Sequence, residues 1–190
     1  SKLWFKASIL FYAASSLGTF ALAYMMITKH LPQNLYLASV YYYLHFQYNG
    51  FFFFSCVGLF ISQMYRFIPK LEYVSKIFWL FAISCVPTYF LSTLWMKMPL
   101  WLYIIVVIGA FMQLIGWVKF IQLLRTHLVQ IKTAIKPIWQ KFFLLLALAV
   151  TIKLLLQLGS VIPSLSKLAF GFRPIVIAYL HLVLLAIISF

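Results

Sequence analysis

LWLYIIVVIGAFMQLIGWVKFIQLL, residues 100–124, carries no charged side chain before Lys119. A helix rises about 1.5 Å per residue, so about 20 such residues cross the ~30 Å hydrocarbon layer of a bilayer. This stretch therefore reads as a transmembrane helix, and it sets the fold class. Five other apolar runs read the same way. The expected spans are about 7–28, 34–64, 77–96, 100–124, 142–162 and 174–190. Pro32 and Pro163 stand where the first and fifth runs stop. Pro174 opens the sixth, at the first helical position, where its missing N–H costs nothing. The expectation is an all-α, polytopic membrane helix bundle of about six spans, forming one domain over residues 1–190.

Composition agrees. The chain has 190 residues, 66% of them apolar and 8% charged, and a mean hydropathy of +1.06. Water-facing domains carry about 25% charged residues. Glu72 is the sole acid. The formal net charge of +14 comes from basic residues placed between the apolar runs, not from a basic domain or a nucleic-acid-binding motif. The expected partner is thus the lipid bilayer, with other membrane subunits or self-association beside it, and nucleic acid is excluded. The first residue is not Met and the last apolar run reaches the final residue, so the chain is expected to be an excerpt of a longer protein.

Basic residues also set an orientation. Lys2, Lys6, Arg66, Lys70, Lys76, Lys119, Arg125, Lys132, Lys136 and Lys141 fall on one side of the six-span scheme, and Lys29, Lys97, Lys167 and Arg173 on the other. The richer side is expected to be cytoplasmic, placing both termini there in a bacterial inner membrane. Between the fourth and fifth runs, Leu128, Ile131, Ile135 and Ile138 recur at helical spacing among lysines. That pattern fits a helix lying at the membrane surface.

Ionisable groups at membrane depth need a partner or a role. Three occur: His45, Lys153 and His181. Counted along their helices, all three lie ~10–17 Å below the outer boundary. His45 belongs to YYYLHFQYNGFFFF, residues 41–54, a polar island among tyrosines and phenylalanines. Tyr41, Tyr42, Tyr48 and Asn49 share its helix face at i±3 and i±4. One reading makes His45 and His181 the axial ligands of a haem b, or of another metal, between the second and sixth spans, since haem iron takes neutral imidazoles. Asn49, Lys153 and Arg173 would then serve the ring and its propionates. The other reading makes the histidines interhelical hydrogen-bond partners, worth about 0.6 kcal/mol on average in membranes. Lys153 has no acid in any span, so its partner is a carbonyl, a hydroxyl, a cofactor carboxylate or an anionic substrate. Cys56 and Cys85, without metal-ligand spacing, read as small core residues.

LHFQYNG (44–50) and FRPIVIAYLHLVLL (172–185) resemble segments of haem-copper oxidase subunit I and the related NnrS-like membrane proteins. The likeness covers two helices. It implies a haem at His45 and His181 and a redox or gas-related role. The chain departs from the oxidase pattern in having no His-His pair for copper, no His-x-x-x-Tyr and no full set of metal-binding histidines. The alternative functions are a small-molecule transporter or permease, with His45, Asn49, Lys153 and His181 lining a polar cavity, and a non-catalytic structural subunit. No serine–histidine–acid set, paired carboxylates or phosphate loop is present.

Overall fold

A helix of 35 residues, from Gln33 to Phe67, is the spine of the protein. In the computed structural model, which describes residues 1–29, 32–68 and 71–162 with the pieces 164–165, 177–178 and 181–182, every element is helical. The order is α1 (Lys2–Thr28), α2 (Gln33–His45), a π-helical segment (Phe46–Phe52), α3 (Phe53–Phe67), α4 (Val74–Thr88) closing in a 3₁₀ turn (Tyr89–Thr93), α5 (Leu100–Thr126), α6 (Leu128–Ala134) and α7 (Pro137–Gly159). The spine is α2, the π segment and α3 in unbroken succession.

Five of these stretches are long and apolar enough to cross a membrane: Lys2–Thr28, Gln33–Phe67, Val74–Thr93, Leu100–Thr126 and Pro137–Gly159. They correspond to the first five expected spans, and the protein is an integral membrane helix bundle. The sixth expected span, 174–190, lies outside the described residues apart from 177–178 and 181–182. The third span carries Pro87 next to the last residue of α4. It tightens into a 3₁₀ turn just after it, with Thr88 bonding back to the Ser84 and Cys85 carbonyls at 2.8 and 3.1 Å. Hydroxyls that return to the preceding turn ease backbone strain near proline.

Small residues let the helices approach closely, as membrane packing requires where no hydrophobic force joins helix to helix. A Cβ on Gly18 would sit 2.9 Å from the Ser39 carbonyl oxygen and the Tyr43 backbone nitrogen, so α1 and α2 meet backbone to backbone. A Cβ on Gly50 would reach within 2.6 Å of Phe11 Cβ. Ser8 and Ser55 bridge α1 and α3 through their hydroxyls at 2.7 Å. Gly109 and Gly116 of α5 take Pro87 and Phe81 of α4 in the same way.

The main core is aromatic. Trp4, Phe11, Phe54, Phe78 and Phe81 are buried in one cluster joining α1, α3 and α4. Their rings meet tilted or edge to face, with centroids from 5.1 to 6.4 Å apart. On the far side of α5, Trp117 Nε1 donates to Thr151 Oγ1 of α7 at 2.9 Å.

Candidate functional site

The polar island of residues 45–50 coincides with the change from α-helix to π-helix. Its cause is legible in the packing. Phe46, Gly50, Phe54 and Gly58 are all buried, each four residues from the next. In a regular α-helix a strict spacing of four drifts about 40° around the axis per step. Wider i→i+5 turns absorb that drift and keep the four residues facing their neighbours. π turns are rare and concentrate at functional sites, because they re-aim the side chains beside them.

His45 is the residue at the start of this segment. Only 5% of it is exposed. Its Nε2 lies 2.8 Å from the Cys85 carbonyl oxygen of α4. A carbonyl can only accept, so Nε2 carries the proton and donates. Nδ1 is then the acceptor, and Asn49 Nδ2 donates to it at 3.1 Å. Cys85 Sγ in turn contacts the Asn49 carbonyl at 3.7 Å. Histidine, asparagine and cysteine thus form a closed ring of contacts between the spine and α4.

A second polar chain begins one turn along α4. Gln113 of α5 donates to Thr88 Oγ1 at 3.0 Å, and Gln157 of α7 donates to Gln113 Oε1 at 2.8 Å. All three residues are buried. Gln157 Oε1 is a buried acceptor with no partner among the described residues. Three spans are therefore joined by side-chain amides and a hydroxyl. Sequence pattern alone does not join Gln113 to Gln157. The signal that would have found the chain is amide residues recurring in spans otherwise made of Leu, Ile, Val and Phe.

Lys153 stands where these two networks approach. It is 6% exposed, on the inward face of α7 with Ala149, Val150, Leu154 and Gln157. Its Nζ lies 5.9 Å from the centroid of the Phe53 ring. Among the described residues it has no hydrogen bond and no acidic partner, and Glu72 is exposed. Lys153 lines a cavity of about 10 Å³ together with Asn49, Phe53, Phe54, Phe81, Gln113 and Leu154. That is room for about one water-sized occupant.

The structure thus brings together three of the five residues singled out by sequence: His45, Asn49 and Lys153. His181 is exposed, its Nδ1 2.8 Å from the Ile177 carbonyl, while the neighbouring Leu182 packs on the main core. Arg173 lies outside the described residues. As arranged, His45 does not fit an axial haem or metal ligand. Both of its ring nitrogens are engaged, and the cavity next to it is far smaller than a macrocycle. Among the described residues no three His, Cys, Asp or Glu side chains are grouped to hold a metal ion. What the arrangement offers chemically is a small cavity with one lysine amine and two carboxamides among phenylalanine and leucine side chains. Comparison with family models, curated proteins and solved structures finds no match to this chain.

Proposed function

We propose that this chain is an integral membrane protein of the small-solute transporter or permease class, with the solute site between the spine, α4, α5 and α7. The observation that carries this reading is Lys153. A cation at membrane depth marks a solute or ion pathway unless it is paired, and Lys153 faces a polar cavity with no acid beside it. The π segment supports the same reading, since it places Asn49 at the cavity wall. The space between helices is one of the places where bundles bind small molecules.

The excess of Lys and Arg at one set of helix ends supports an amino terminus on the cytoplasmic side of the membrane. Fusing a reporter to each inter-helix segment tests that orientation. Solute passage is tested by reconstituting the purified chain in liposomes and screening small ions and polar solutes by swelling and flux. Uptake above empty liposomes, reduced by Lys153→Met, is the expected result. Liposomes as tight as protein-free ones to every solute would overturn the proposal. An absorbance spectrum of the same preparation checks the redox reading. A Soret band lost in His45→Ala would replace the transporter with a haem b protein in a redox or gas-related role.

A further inference from the structure

We infer that the cavity at Lys153 is a binding site for a small monovalent anion. The inference takes from the reading above only that this cavity is a solute site, and it names the class of solute. Three observations carry it.

The first is charge. Lys153 is more than nine-tenths buried and lines the cavity, its Nζ over the ring of Phe53 in the same lining, and the chain's one acid, Glu72, is exposed elsewhere. An ammonium removed from water either gains a counter-charge or gives up its proton, and a bound anion is what keeps the charged form. The Phe53 ring face at 5.9 Å supplies attraction without charge. Gln157 Oε1, one turn along α7, is a neutral acceptor and makes no bond to Lys153 among the described residues.

The second is the character of the polar lining. A carboxamide nitrogen has two protons to donate. Asn49 spends one on His45 Nδ1, and Gln113 spends one on Thr88 Oγ1. Each retains a second N–H. Meanwhile Gln113 Oε1, the acceptor that would suit a cation, is occupied by Gln157. The lining therefore offers an ammonium and two amide donors, with the Asn49 Oδ1 as a neutral acceptor and no carboxylate, so its net charge favours an anion. The His45 tautomer holds this in place. With Nε2–H fixed on the Cys85 carbonyl, Nδ1 must accept, and Asn49 is turned amine-side toward it.

The third is size. About 10 Å³ walled by Phe53, Phe54 and Phe81 is close to the room of one water, so it limits an occupant to a single bare ion and excludes an organic acid or a lipid headgroup. A divalent anion would leave one charge without a partner.

The test uses the purified chain in phosphatidylcholine nanodiscs, with thermal unfolding followed at constant ionic strength as gluconate is exchanged for chloride or bromide. A bound ion stabilises the folded state with a saturating concentration dependence. The expected result is an unfolding midpoint that rises and saturates with halide. Lys153→Met should remove the dependence, weakening halide binding about a hundredfold or more, as when one partner of a buried ion pair is lost. Lys153→Arg should retain part of it. If Lys153→Met does not fold, Asn49→Leu carries the same test from the opposite wall.

A wild-type midpoint indifferent to halide overturns the inference. So does an equal dependence in Lys153→Met, which would mark a general salt effect. A midpoint raised by phosphatidylglycerol in gluconate, with nothing added by halide, would make the counter-charge a lipid phosphate and also overturn it. Halide binding without flux would leave this inference standing and remove the transporter reading. Flux of another solute without halide dependence would do the reverse.

Discussion

The two faces of α4 solve the burial problem in opposite ways. Toward α1 and α3 it presents Phe78 and Phe81 to Trp4 and Phe54, a zone of interlocked rings. Toward the spine's π segment and α5 it presents the Cys85 carbonyl and Thr88 hydroxyl to His45 and Gln113, a zone of directed hydrogen bonds. In a bilayer the surrounding tails are as apolar as the rings, so the aromatic zone holds by close packing rather than by escape from solvent. The polar zone holds by the cost of leaving amides unpaired in hydrocarbon. Shape governs one face and pairing the other, so substitutions should separate them.

The largest effect is expected in the packed zone. Phe54 is 1% exposed and touches the rings of Trp4, Phe11, Phe53 and Phe78. Phe54→Ala should destabilise by about 3–5 kcal/mol, the usual range for a buried ring. Gly18→Leu should cost about 3 kcal/mol. Its side chain would meet the Ser39 and Tyr43 backbone, which cannot step aside as a rotamer can. Both are read as lost folded yield or lowered unfolding midpoint. If either leaves the midpoint unchanged, the α1–spine contact is looser than drawn.

A smaller loss is expected in the polar zone. Gln113→Leu removes the link between Thr88 and Gln157 and strands the Gln157 amide. Interhelical hydrogen bonds in membranes average about 0.6 kcal/mol, so two lost bonds should cost about 1–2 kcal/mol. Measured unfolding in a denaturing detergent decides it. A loss as large as that of Phe54→Ala would mean the polar chain, not ring packing, sets the stability of the bundle. Lys153→Met should go the other way, raising stability in gluconate by about 1 kcal/mol, because replacing a buried ion by an apolar side chain is often neutral or stabilising. A marked fall instead would mean that Lys153 pairs within the protein.

The spans were legible in the sequence because they depend on hydropathy summed over a whole helix, which needs no partner. Glu72 as the sole acid was enough to show that Lys153 has no carboxylate side chain in a span to pair with. The π segment was not legible. Its cause is the four-residue spacing of Phe46, Gly50, Phe54 and Gly58, and that spacing acquires meaning only once Phe11 and Trp4 are known to press on Gly50 and Gly58. The partner of His45 was hidden for a different reason. It is a backbone carbonyl, that of Cys85, and every residue has one, so no side-chain pattern could point to it. Reading histidines as partners of each other led instead to His181, which is exposed beside Ile177.

The smallest expected effect lies where the two kinds of contact meet. Ser8 and Ser55 share one hydrogen bond at 2.7 Å between α1 and α3, within the packed zone. Ser8→Ala keeps the small size that the close approach requires and removes only the bond. The loss should be about 0.6 kcal/mol. Ser8→Val adds two carbons at a position 2% exposed and should cost more than the alanine, by about 1 kcal/mol or more for overpacking. If valine were tolerated as well as alanine, shape would not govern this face. If alanine cost as much as Gln113→Leu, a single hydroxyl pair in the packed zone would weigh as heavily as the buried amide chain.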